Sequence, residues 1–135
     1  MADATLAAAD QWLRKAERDL AAARRLMLGE TPLRDTGVYH CQQAVEKGLK
    51  AFLTYHNTSH QKTHNLVALL DVAETIDPTF ARWLEAAKML TPYATEFRYP
   101  GEIIEPTAEE AAKALQHAED FLNFLAEKLR RGRDS

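Results

Sequence analysis

The chain reads as an all-α protein, an up-and-down bundle of four to five helices. Three observations carry that reading. Leu6, Ala9, Leu13, Ala16, Leu20, Ala23 and Met27 recur in alternating steps of three and four, and so do Ala108, Ala111, Leu115, Ala118, Leu122, Leu125 and Leu129. That step is the period of a helix packing seam. Between them, Val38, Cys41, Val45, Leu49 and Phe52 mark a third apolar face. No stretch alternates apolar and polar residues as a half-buried strand does.

The first seam predicts a helix that Gly29 stops, since glycine reaches the left-handed backbone region without strain. Thr31-Pro32 makes a short connection. Asp35 or Thr36 is expected to cap the second helix, which runs to about His56. Asn57-Thr58-Ser59 is a loop. A short third helix follows with Thr63 as its cap and Leu66, Leu69, Leu70, Ala73 and Ile76 facing inward. Asp77-Pro78 ends it, because the residue before proline avoids helical angles. A fourth helix starts near Thr79 and buries Phe80, Trp83, Leu84, Ala87 and Leu90. Pro92 lacks a backbone donor and should kink or split it, leaving Tyr93 to Phe97 as a displaced piece. Arg98-Tyr99-Pro100-Gly101 reads as a turn or extended loop closed by Glu105-Pro106. Thr107 and Glu110 have capping-box spacing ahead of the last helix. Short connections favour antiparallel neighbours.

The length of 135 residues suits one domain, taken here as 1–135, with enough chain for a real core. A hydrophobic fraction of 46% and a net charge of −3 announce neither nucleic acid nor membrane in the global balance. No apolar run approaches the ~20 residues of a membrane span, and no secretion signal is visible. The expected location is cytoplasmic. Cys41 is the single cysteine, so no intramolecular disulfide forms, and its place on an apolar stripe reads as a small buried residue. The basic end, Lys128, Arg130, Arg131 and Arg133, reads as stabilisation of a helix C-terminus.

The helix around Tyr39 to Leu53 holds the most information. His40, Gln43, Lys47 and Lys50 form a second row on it, carrying donors that a helix does not need in order to fold. Tyr39-His40-Cys41-Gln42-Gln43-Ala44-Val45-Glu46-Lys47-Gly48-Leu49-Lys50-Ala51-Phe52-Leu53 resembles the defining helix of the HEPN domain (higher eukaryotes and prokaryotes nucleotide-binding). Lys62-Thr63-His64-Asn65-Leu66 with Leu69-Leu70 resembles the start of that family's next helix. Phe97-Arg98-Tyr99-Pro100 resembles its loop before the last helix, and Trp12, Ala16, Asp19 and Leu20 fit its opening helix. The resemblance implies a four- or five-helix bundle, usually a homodimer. It further implies a toxin–antitoxin-type pairing with a minimal nucleotidyltransferase. Some branches of the family are metal-independent RNases and others are non-catalytic nucleotide- or protein-binding modules, so both readings stand here. No cofactor is expected.

RNases of this family use an arginine and, several residues on, a histidine. Histidine titrates near neutrality and can move the proton of a ribose 2′-OH, and arginine stabilises charge growing on the phosphate. Arg34 and His40 have that spacing, with five residues between them, and are the candidate catalytic pair. Gln43, Lys47, Lys50, His64, Arg98 and Tyr99 are candidates for nucleotide or phosphate binding. Each has a structural alternative. Arg34 is also readable as a loop residue in solvent and His40 as a helix-surface residue. His64 can anchor a loop by a hydrogen bond. Arg98 can pair with Glu96 or Glu102, and one of Gln42 and Gln43 can bond between helices. Gly48 costs up to ~1 kcal/mol inside a helix, so a close helix crossing, such as one at a dimer interface, would account for it. Trp12, Trp83, Tyr93 and Tyr99 read as core or interface before base-stacking surfaces. His56, His60 and His64 are spaced by four, but the intervening loop and the lack of a completing cysteine or carboxylate argue against zinc. The glutamine pair and the Arg98-Tyr99-Pro100 bend are expected to share one groove.

Overall fold

The computed structural model describes residues 3–95 and 105–134. Among them are five α-helices and no strand: α1 (Asp3–Met27), α2 (Arg34–Tyr55), α3 (Leu66–Ile76), α4 (Leu84–Leu90) and α5 (Ala108–Asp134). Short 3-10 turns, Pro78–Trp83 and Thr91–Ala94, flank α4. The fourth helix is therefore shorter at its start than the sequence pattern suggests. Asp77 caps the 3-10 turn by accepting from the Thr79 N–H at 3.0 Å, and Pro78 occupies its first residue. Pro92 splits the end of the segment as expected. Phe97 and the Arg98–Gly101 turn lie outside the described residues.

The predicted apolar faces are buried or packed against the core, except that Ala108 at the start of the last seam is exposed. Val38, Cys41, Leu49 and Phe52 of α2 meet Leu20 and Ala16 of α1 and Leu122 and Leu125 of α5 in one core. α1 runs antiparallel to α2, since Thr5 reaches Asn57 near one end and Met27 packs on Gly37 at the other. α5 runs in the direction of α2: Glu105 reaches Arg34, and Gly132 lies on Tyr55. Gly48 lies at the crossing of these two helices. A Cβ there would stand 3.0 Å from Leu122, 3.1 Å from Leu125 and 3.2 Å from Phe121. The close crossing is thus internal to the chain.

Two caps differ from expectation. No side chain caps α2 from its N-cap, Leu33. Asp35 accepts only from its neighbour Thr36, and the Arg34 N–H is instead met by Glu105 at 3.2 Å from across the fold. The cap of α3 is Asn65, whose side chain accepts from Val67 and Ala68, while Thr63 holds the turn before it. Thr107 and Glu110 form the reciprocal bonds of a capping box at 3.1 and 2.9 Å. Gly29 has φ +104°, as its role as a stop requires.

The connection from His56 to Asn65 positions the site. It does not turn straight into an antiparallel neighbour. It climbs back along α2, with His60 beside Thr54 and His64 beside Gln42 and Glu46. α3 then descends in the direction of α2. The climbing segment forms one wall of a trough, α1 the other, and the polar side of α2 its floor.

Candidate functional site

The floor starts from helix geometry. Residues 42, 43, 46, 47 and 50 follow one another around less than half of α2. In water such a row would be a solvated face. Here Gln42, Gln43, Glu46 and Lys50 are all buried, because α1 and the climbing segment close over them. Buried polar groups need partners, and two carboxylates supply them.

Glu46 is the first. Its Oε1 accepts from Gln42 Nε2 at 3.1 Å and from Gln43 Nε2 at 3.4 Å, and it meets His64 Nδ1 at 2.8 Å. Its Oε2 takes Lys50 Nζ at 3.0 Å. Burial on its own would raise the carboxyl pKa, but the bonds from His64, Gln42 and Lys50 outweigh it and hold the group below its ordinary value. An ionised carboxylate only accepts, so the proton between Glu46 and His64 sits on Nδ1. Nε2 is then the nitrogen His64 presents to a ligand. The His64 side chain is 66% exposed while that of Glu46 is 4% exposed. Gln42 also donates to the His64 carbonyl at 2.9 Å, which fixes the backbone beneath the ring. The loop-anchoring and the functional readings of His64 therefore describe the same geometry.

Asp19 of α1 is the second. It takes Lys47 Nζ at 2.6 Å and meets His40 Nδ1 at 2.8 Å. Each carboxylate thus holds one ammonium and one imidazole. Lys47 and Lys50, expected as phosphate receivers, are both neutralised within the fold. Arg34 opens α2, six residues before His40. Six residues carry a helix about 9 Å along its axis and about 240° past a full turn, so the two side chains leave α2 on different faces. Arg98 and Tyr99 lie outside the described residues, and so does the bend expected to share a groove with the glutamines.

Asp19 and Glu46 are the residues that sequence reasoning undervalued. Asp19 directly precedes Leu20 on the seam of α1, where a carboxylate becomes buried and has to be paired. Glu46 stands in the sequence within the defining helix, four residues before Lys50, but its bond with His64 depends on the climbing segment. The three spaced histidines diverge: His56 packs on Phe52 and Tyr55, His60 on Trp12, and His64 on Glu46. Among the described residues no group of three or more metal-type side chains is close enough to hold an ion. No helix described is long and apolar enough to cross a membrane.

The model of the HEPN domain matches residues 9–129. This chain belongs to the HEPN domain family. Two solved structures agree with it in fold. The crystal structure of TT1696 from Thermus thermophilus is 31% identical with a TM-score of 0.73, over 89% of this chain and 97% of that one. ST0689, an archaeal HEPN homologue, is 27% identical with a TM-score of 0.72, over 89% and 96%. A search of curated proteins finds no match. In this HEPN chain Gln42, Gln43 and Glu46 of the defining helix are buried in the floor of the trough, with Lys47 half-buried at its side.

Proposed function

We propose that this HEPN protein is one half of a toxin–antitoxin-type module, partnered by a minimal nucleotidyltransferase, and that it cleaves RNA without a metal. One observation carries the catalytic part: an exposed imidazole, His64, oriented through Nδ1 at 2.8 Å by a buried carboxylate, Glu46. A histidine held in that way has a fixed tautomer and a fixed direction, as proton transfer requires. His64 Nε2 takes the proton of a ribose 2′-OH. The 2′-oxygen attacks the adjacent phosphorus and the 5′-oxygen departs with a proton, leaving a 2′,3′-cyclic phosphate. Glu46 is the positioning residue. His40, held by Asp19, is the candidate second proton carrier, and Arg34 the candidate phosphate contact. Family membership supports the partnership and a homodimeric state.

The test is cleavage of single-stranded RNA by the purified chain in chelator. His64→Ala is expected to abolish it, and Glu46→Gln, with its fold checked by circular dichroism, to lower it. Loss of activity only in Arg34→Ala and His40→Ala would move the catalytic assignment to that pair. Light scattering is expected to give twice the 15.2 kDa chain mass, and a monomer at high concentration contradicts the dimer.

A second reading has its own support. Lys47 and Lys50 are neutralised, and Arg34 and His40 face apart, which suits a non-catalytic nucleotide- or protein-binding module. RNA left intact by every preparation, with nucleotide or partner binding retained, selects it.

A further inference from the structure

A trench lies along the first turns of α1. Its larger part is a cavity of about 490 Å³, lined by Thr5, Thr54, Asn57, Thr58 and His60 among others. Ala8 belongs both to this cavity and to a smaller one of about 180 Å³, which Trp12, Gln11 and Lys15 complete. The two adjoin at Ala8, which lines both. Their lining carries hydroxyls, an amide and an imidazole at one end, and an indole with an ammonium at the other. Among the described residues no carboxylate lines either part.

The indole is held in place. The His60 ring stands edge-on to it, with centroids 6.0 Å apart and planes at 79°. Lys50 approaches from α2, with Nζ 5.5 Å from the ring centroid. Lys50 is the ammonium bound to Glu46, the carboxylate that orients His64. Trp12 is thus joined to His64 by two intermediate side chains. Trp12 is only partly buried, so the ring keeps accessible surface along α1.

Three chemical features lie along the trench: a fixed flat ring, a pocket of hydroxyl and amide groups, and the ammonium of Lys15, which lines the same small cavity as the ring. A planar heterocycle stacks on the first, a polyhydroxylated sugar hydrogen-bonds the second, and a phosphate is drawn to the third. We infer that Trp12 and the trench beside it form a ribonucleotide subsite, in which a base stacks on the indole and its ribose enters the Thr5–Asn57 pocket. This deepens the proposed action on RNA and rests on that reading for its choice of strand over free nucleotide. It assigns Trp12 as the residue that positions a base next to the His64 centre.

The experiment titrates the full chain with a decamer of oligoadenylate RNA and, separately, with AMP, following quenching of tryptophan emission and, independently, equilibrium dialysis. Trp12→Ala is expected to weaken binding of the decamer at least about tenfold, as loss of one stacked base does. Trp12→Phe, which keeps a ring, is expected to stay within about threefold. Ala8→Leu adds bulk to the wall that both cavities share, without entering the core, and is expected to act like Trp12→Ala. Tight binding of the decamer with weak binding of AMP identifies a strand site, and equal binding identifies a free-nucleotide site. Wild-type affinity in both Trp12→Ala and Ala8→Leu, or no binding of either probe, overturns the subsite. The two proposals fail separately. RNA that binds through Trp12 but is never cleaved removes the nuclease reading and keeps the subsite. RNA that is cleaved and held equally well by Trp12→Ala removes the subsite and keeps the nuclease.

Discussion

At the scale of single residues, the polar floor shows how a chain places charge where a core would otherwise exclude it. Removing one partner of a buried ion pair costs more than the pair contributes, because the other charge is stranded. Glu46→Ala leaves Lys50, whose side chain is 10% exposed, without its carboxylate, and Gln42 with only the His64 carbonyl of its two acceptors. The expected loss in urea unfolding is about 3–5 kcal/mol. The double change Glu46→Leu with Lys50→Leu removes both charges and is expected to recover at least half of it. A second pair acts at the surface. Lys128 bonds Asp77 at 2.8 Å, and this bond, with those from Thr79, lowers the Asp77 carboxyl from 3.8 to about 2. A carboxyl depressed on folding stabilises the protein above its unfolded pKa, and that contribution fades as pH falls from about 4 towards 2. Lys128→Met is expected to unfold more easily than wild type at pH 7, with the gap between them narrowing at pH 3 and nearly closing at pH 2.

At the scale of elements, Gly48 makes the clearest case. Its absent side chain lets α2 and α5 approach until a Cβ would sit 3.0–3.2 Å from three side chains of α5. Gly48→Leu would drive a side chain into that contact, and thermal or urea unfolding should show a loss of at least about 2 kcal/mol. Gly48→Ala gains up to about 1 kcal/mol in helix propensity, offset by the shift its Cβ forces on Leu122, Leu125 and Phe121, so it should unfold near wild type. The seams of α1 and α5, the stop at Gly29, the split at Pro92 and the capping box at Thr107 were all legible in the sequence, because each rests on bonds or sterics within a few residues. What was not legible depends on partners far along the chain. Glu105 replaces a local cap on α2, α5 and not another subunit fills the space at Gly48, and the climbing segment buries Glu46. The same contrast runs through the site. His64 was found by its position at a helix start, whereas the carboxylate that orients it became visible only when residues 18 apart met.

At the scale of the whole molecule, α2 is the axis against which α1, α3 and α5 pack. Its apolar side knits the core and its polar side floors the trough, so stability and any chemistry share one helix. Variants of the floor therefore need a fold check beside an activity assay. The chain carries a built-in one. Cys41 has no exposed surface, and burial, with Glu119 adding to it, pushes its thiol up to about 12. A thiolate is the form that reacts, so an alkylating reagent is kept waiting until α2 parts from its neighbours. Mass addition of one label against time thus clocks the opening of the molecule itself, with no probe to be engineered in. A preparation that is alkylated at once in buffer has already come apart around its central helix.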